Sequence, residues 1–200
     1  MLDSRRTARA TLRQAWIASA VALLSVCVFL PALRNGYAWD DELNYLANPH
    51  YRGLGWAQLR WMFTTAYLGP YQPLSWLSAA FDFTLWGMNP FGYHFTNLLL
   101  HAANAVLVYF LTLRLLPLAA PEAGRENGGR VLLCAGAAAL LFAVHPLRVE
   151  AVAWATERRT VLAGFFYLSA IWCYLKSDLN RAVAVILFLL SLLSKGIGVA

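Results

Sequence analysis

Charge is what this chain has least of. Acidic and basic residues together make up 13% of it, against 60% apolar residues. That balance excludes an ordinary soluble domain and fits a protein with several membrane-spanning segments. Cysteine is scarce too. Cys27, Cys134 and Cys173 lie in apolar runs without metal-ligand spacing, so they read as small hydrophobes, and neither a disulfide nor a metal site is expected. A signal-peptidase site is also lacking. Arg5 and Arg6 ahead of the apolar run from Trp16 to Leu33 imitate a signal peptide, but the Pro31-Ala-Leu-Arg-Asn-Gly that follows has no small-x-small pattern, which makes the run an uncleaved anchor. No internal repeat and no soluble domain is visible.

What is present is a set of apolar spans. The net charge of +6 does not indicate nucleic acid as a partner, because nine of the sixteen basic residues fall where one topology puts them on a single side. These are Arg5, Arg6, Arg9 and Arg13, then Arg114, Arg125 and Arg130, then Lys176 and Arg181, and the positive-inside rule makes that side cytoplasmic. The pattern predicts an all-α fold: a polytopic transmembrane helix bundle of about five spans, with interfacial helices in a long first external loop. The spans are Trp16 to Leu33, His94 to Leu116, Gly129 to Val144, Val161 to Leu175, and Ala182 onward. Residues 1–15 form a cytoplasmic tail and 16–200 the membrane domain, with the external loop at 34–93. Pro117 to Gly129 reads as a cytoplasmic connection. The end at Ser194-Lys195-Gly196-Ile197-Gly198-Val199-Ala200 reads as a cut within a longer protein.

Within the long loop, Trp56, Leu59, Phe63, Ala66 and Tyr67 share a helical face and predict a helix lying in the interface. A second helix opens at Pro73 and ends near Gly87, with Ser75, Ser78 and Asp82 on one face. Trp56, Trp61, Trp76 and Trp86 read as interfacial belt residues.

Three groups could carry chemistry. The first is Asp40-Asp41-Glu42, just beyond the first span. Adjacent carboxylates there cost repulsion and desolvation, and they read either as a solvated loop cluster or as a site where one of them takes a proton from a hydroxyl or holds a cation. A divalent ion such as magnesium or manganese would suit such oxygen ligands. The second is a polar seam of His94, Asn97, His101 and Asn104 on the second span, which reads either as interhelical glue or as a cavity lining. His94 and His101 are ~10.5 Å apart along a helix axis, too far to share a metal. The third is His145-Pro-Leu-Arg148-Val-Glu150-Ala-Val-Ala-Trp154-Ala-Thr-Glu157-Arg158-Arg159. If it is helical after Pro146, Glu150, Trp154 and Glu157 share a face. Its arginines suit either a salt-bridge cluster or an anion pocket. The predicted topology places this segment on the side of Asp40 and Asp41, so acids and arginines are expected to converge.

Four ordered motifs resemble a known family: Asn35 to Asp41 (N-G-Y-A-W-D-D), Tyr71 to Ser78 (Y-Q-P-L-S-W-L-S), Leu85 to His101 (L-W-G-M-N-P-F-G-Y-H-F-T-N-L-L-L-H) and His145 to Trp154 (H-P-L-R-V-E-A-V-A-W). The resemblance is to the membrane half of the transmembrane and tetratricopeptide-repeat O-mannosyltransferases and their bacterial relatives, which are GT-C glycosyltransferases. It implies a multi-pass enzyme of the bacterial plasma membrane, or of the endoplasmic reticulum in a eukaryote. Such an enzyme transfers a sugar from a polyprenyl-phosphate carrier to a hydroxyl acceptor, typically protein Ser or Thr, on the non-cytoplasmic face. It implies Asp40 as base with Asp41 beside it, Arg148, Arg158 and Arg159 on the donor phosphate, and His94, Asn97, His101, His145 and Glu150 as supporting contacts. The chain departs from the pattern at Thr160, where relatives often carry an acid, and at Gly196, where they usually carry proline. Two other functions fit parts of the pattern: a non-catalytic anchor for a repeat scaffold, and a transporter piece built on the His/Asn seam.

Overall fold

A computed structural model describes residues 2–121, 128–176 and 181–196, and among these every regular element is helical. The helix α1 (Leu2–Phe29) continues into a 3-10 turn (Leu30–Arg34), and the following loop contains a short π-helical turn (Glu42–Leu46). Two loop helices come next, α2 (Trp56–Thr64) and α3 (Pro73–Trp86), before the long α4 (Pro90–Ala119). The remaining elements are α5 (Gly128–Val144), α6 (Arg148–Ala153), a 3-10 turn (Ala155–Glu157), α7 (Arg158–Tyr174) and α8 (Arg181–Ser194).

Local chemistry sets these bounds. Pro73 and Pro90 occupy first-turn positions, where a missing N–H costs nothing, and the Asn89 side chain accepts from Phe91 N at the start of α4. Gly87 ends α3 at φ +60, a conformation that excludes most side chains. At Gly92 a Cβ would meet Trp86 at 2.2 Å, so only glycine lets α4 fold back so tightly against the end of α3.

The bundle core has two chemistries. Where α1, α4 and α5 meet, Ala18, Ala105, Ala135, Ala139 and Ala143 are buried around Val21 and Tyr109. Small residues repeating along α5 let the helix backbones approach closely, as apolar solvent demands. Beneath the first loop, Tyr45, Tyr51, Tyr93 and Trp76 pack with Met62, Ala79, Ala80 and Ala155. Trp76 is therefore a core residue at 2% exposure rather than a belt residue, since Trp61, Tyr67, Tyr45 and Tyr51 all close on it edge-on or tilted.

Among the described residues two helices are long and apolar enough to cross a membrane, Ala10–Arg34 and Pro90–Ala119. Only 28% and 39% of their most apolar windows are buried, so most of that surface faces outward, unlike the core helix of a soluble protein. The helices α5 and α8 are apolar but shorter, at 17 and 14 residues. The second span is longer than its sequence pattern suggests: α4 starts four residues before His94 and runs through Pro117 to Ala119. Residues 122–127 of the connection that follows lie outside the described residues.

Candidate active site

One end of the bundle gathers the turn after α1, the start of α4, the end of α5, and the run through α6 into α7. The loop 35–45 is stitched there to residues 153–156. Asn35 donates to Ala153 O (3.4 Å), Trp39 leans on Trp154 (ring centroids 6.3 Å apart), and Tyr45 Oη donates to Ala155 O (3.2 Å). Burial pushes the Tyr45 hydroxyl far above its ordinary range, so it remains a protonated donor.

The two acids divide their labour. Asp41 is fully buried and both its carboxylate oxygens are engaged: Oδ1 accepts from Thr156 N (2.7 Å) and Thr156 Oγ1 (2.5 Å), and Oδ2 from Ala38 N (3.0 Å). It staples segments 115 residues apart. Asp40 is half-buried, and its Oδ1 is shielded from solvent without any hydrogen-bond partner. Its carbonyl, in contrast, accepts from both Asn44 N (2.9 Å) and Asn44 Nδ2 (2.8 Å), which fixes the backbone beneath an uncommitted side chain. The turn that presents it, Ala38 O to Asp41 N (3.1 Å), puts Trp39 at φ +56 and leaves it 89% exposed. Glycine or asparagine is the usual occupant of such a position, and a bulky residue there costs about 1–3 kcal/mol.

We expect Thr156→Val to keep the backbone hydrogen bond to Asp41 and lose the hydroxyl one. A bond to a charged acceptor is worth about 1.5–3 kcal/mol, so thermal unfolding in detergent should show a lower midpoint. An unchanged midpoint would remove the staple from the account.

Each residue of the seam on α4 bonds a backbone carbonyl of another segment, and His101 and Asn104 also line a cavity described below. His94 Nε2 meets Gly36 O (3.3 Å), Asn97 Nδ2 donates to Trp154 O (2.9 Å), His101 Nε2 meets Ala143 O (2.9 Å) and Asn104 Nδ2 donates to Val161 O (2.9 Å). The bond from Asn97 falls where the segment after Pro146 is broken. Trp154 is extended (φ −109, ψ 121), so Glu150, Trp154 and Glu157 do not form the single helical face that their spacing suggests. The carbonyls of residues 153, 154 and 155 are taken by Asn35, Asn97 and Tyr45, and no longer serve a continuous helix.

Arg158, a phosphate candidate on sequence, is 1% exposed and committed to protein. Nε donates to Asn97 Oδ1 (2.5 Å), Nη1 to Ser78 Oγ (2.7 Å), and Nη2 to Asp82 Oδ2 (2.6 Å) and Tyr93 O (2.7 Å). Arg159, its neighbour, is part-exposed and pairs with Glu157 (2.8 Å). Lys195 joins the same cluster through Glu157 Oε2 (3.0 Å) and Thr160 Oγ1 (2.7 Å), and Thr160 also bonds Glu157.

Burial alone would push Glu157 up, but the bonds from Thr160, Lys195 and Arg159 and the charge on Lys195 outweigh it and hold the carboxyl below its ordinary 4.5. The cluster therefore stabilises the fold fully above that value and loses its contribution as pH falls through the lowered one. In unfolding measurements, the stability gap between the wild type and Glu157→Gln should be widest at neutral pH and shrink below about pH 4.5. A gap independent of pH would contradict this.

Arg148 lies over the Phe142 ring (4.9 Å), with a solvent-shielded Nε that has no partner. It borders a cavity of ≈ 350 Å³ between α4, α7 and α8, lined also by Asn104, Thr160, Tyr167 and Leu168. Asn104 Oδ1, buried and unpaired, is a second orphan at this cavity. His145 and Glu150 are exposed, with His145 Nδ1 accepting from Leu147 N (3.2 Å). The structure thus brings Asp41 and, through Trp154 O, Asn97 onto the 153–158 run, and sets Arg148 and Thr160 on one cavity. The sequence motifs do not mark Thr156 or Lys195 as site residues. Lys195, a lone charge at the end of an apolar run, carried a usable signal, whereas Thr156 carried none.

An all-helical membrane protein with a strained, acid-bearing turn stapled to a second polar segment is the class these features define. The chain belongs with the transmembrane and tetratricopeptide-repeat protein O-mannosyl-transferases by sequence. It is similar to Protein O-mannosyl-transferase TMTC1 of Homo sapiens (33% identity over 175 residues, 80% of this chain) and to Tmtc1 of Drosophila melanogaster (32% over 168 residues, 79% of this chain). A third relative, Protein O-mannosyl-transferase Tmtc3 of Drosophila melanogaster, is 37% identical over 54% of this chain. The chain spans 12% to 18% of the length of these relatives. No family model matches it, and no solved structure does.

Proposed function

We propose that this chain is the acid-bearing part of a multi-pass membrane glycosyltransferase that moves a sugar, mannose by analogy with its relatives' names, from a polyprenyl-phosphate carrier to a protein hydroxyl. In this reading about five helices cross the bilayer, α5, α7 and α8 completing the crossings of α1 and α4, and the acidic turn faces the non-cytoplasmic side. The observation that carries it is the unpartnered, solvent-shielded Oδ1 of Asp40, held in place by the engaged Asp41 beside it.

Asp40 takes the proton of the acceptor hydroxyl. The acceptor oxygen bonds to the anomeric carbon, the bond from that carbon to the carrier's phosphate oxygen breaks, and the phosphate departs with the electron pair. Arg148 at the cavity, together with Arg159 and Lys195 from the Glu157 cluster, would offset the departing charge. Arg158 would do so only by leaving its protein partners. The ≈ 350 Å³ cavity falls within the range of small-ligand sites, and its apolar walls suit an isoprenoid chain. Both oxygens of Asp41 already accept hydrogen bonds, so a divalent cation at the acidic turn would rest mainly on Asp40, and no step is derived through one. Among the described residues no three of His, Cys, Asp and Glu gather.

The test is incubation of the purified chain in nanodiscs with polyprenyl-phosphate mannose and a Ser/Thr peptide. Gain of a hexose by the peptide supports the reading. A folded chain that binds the carrier but never transfers would favour an anchor instead.

A further inference from the structure

Trp39 sits where neither burial nor backbone preference explains it. It is 89% exposed, it holds φ +56 in a turn position suited to glycine, and it immediately precedes Asp40. A second indole, Trp154, lies beside it at 6.3 Å with the ring planes tilted by 59°. The Nε1–H of Trp154 is a solvent-shielded donor without a partner, and Asp40 Oδ1 is an acceptor in the same condition. An outward aromatic face on the strained turn, next to a carboxylate with an unpaired oxygen and backed by a second indole with an unpaired N–H, matches the chemistry of a pyranose. A pyranose has an axial C–H face for a π-system and hydroxyls that both donate and accept.

We infer that Trp39, with Trp154 behind it, is the platform on which the sugar ring of the donor stacks, so that the ring is presented to Asp40. This rests on the glycosyltransferase reading above and adds the residue that recognises the sugar rather than the lipid. The turn's strain is then maintained by the Asp41 staple, which closes the turn at Ala38 N and ties it to Thr156. The competing role for an exposed indole here is anchorage at the membrane interface. Anchorage would not distinguish a sugar-bearing lipid from a bare one.

The experiment measures binding of two probes, polyprenyl-phosphate mannose and polyprenyl phosphate without sugar, to the full chain in nanodiscs as wild type, Trp39→Phe and Trp39→Leu. The wild type should prefer the sugar-bearing lipid. Trp39→Leu, which keeps an apolar side chain but no ring, should weaken that lipid by about tenfold and leave the bare one unchanged. Trp39→Phe should retain most of the preference. The inference is overturned if Trp39→Leu binds both probes like wild type, if it loses both equally, or if the wild type shows no preference. Transfer assayed on the same samples reports separately on the enzyme. Transfer without a Trp39-dependent preference removes the platform and keeps the transferase, and the preference without transfer does the reverse.

Discussion

Replacing Asp40 by asparagine is expected to abolish measurable sugar transfer while leaving the fold intact. Asparagine has nearly the same shape, so the turn from Ala38 to Asp41 and the two hydrogen bonds from Asn44 to the residue-40 carbonyl persist. What it lacks is a lone pair basic enough to take a hydroxyl proton. Positioned general bases contribute about 10²–10⁴-fold, so the turnover rate should fall by that factor with carrier binding little changed. Because Oδ1 has no protein partner, the substitution breaks no hydrogen bond and the unfolding midpoint should stay near that of the wild type. Asp40→Glu would return a base displaced by one methylene and should recover only part of the rate. Normal turnover by Asp40→Asn would take Asp40 out of the reaction.

The second large effect is structural and concerns Arg158. Its guanidinium joins α7 to Asn97 and Tyr93 at the start of α4 and to Ser78 and Asp82 on α3. Arg158→Ala leaves Asp82, 3% exposed, as a buried charge with Thr96 as its remaining donor. Breaking a buried pair in this way costs about 3–5 kcal/mol, a large part of a domain's stability. Lysine should rescue little, because an ammonium cannot reproduce a planar fork aimed at four acceptors in different directions. Replacing both charges, as in Arg158→Met with Asp82→Leu, should be milder than Arg158→Ala alone, since no unpaired charge remains. Thermal unfolding in detergent reads these outcomes. A stable Arg158→Ala that loses only carrier binding would make Arg158 a phosphate ligand after all.

These two residues also show what the sequence discloses. The helical face of Ser75, Ser78 and Asp82 is legible from spacing, as are the start of α3 at Pro73 and its end at Gly87. Its partner is not legible, because Arg158 lies 76 residues beyond Asp82 and both arginines of the pair look alike as text. Only packing decides that Arg158 turns inward while Arg159 meets Glu157 at the rim. The approach of the acidic turn to the segment after Pro146 is legible from the order of the apolar helices, since α4 and α5 lead the chain away from the end of α1 and back. The break at Trp154 does not follow from the sequence. It arises from Asn35, Tyr45 and Asn97, side chains far away in sequence, competing for carbonyls that local propensity would give to a helix. The seam on α4 has the periodicity of a single face, but its contacts are backbone carbonyls of neighbouring elements, which a pattern of His and Asn cannot name. Asp40 and Asp41 are adjacent acids in the sequence, and the hydrogen bonds of Thr156 and Ala38 make them different.

That difference is the centre of the account, and Asp40→Asn and Asp41→Asn, assayed side by side for transfer and thermal unfolding, test it most directly. Asp41→Asn would turn an NH₂ group toward either Ala38 N–H or the Thr156 donors, so it should unfold at a markedly lower temperature. Asp40→Asn should unfold like the wild type and transfer nothing. Wild-type transfer by Asp40→Asn, or an Asp41→Asn protein as stable as the wild type, would contradict the division between a reacting acid and a stapling one.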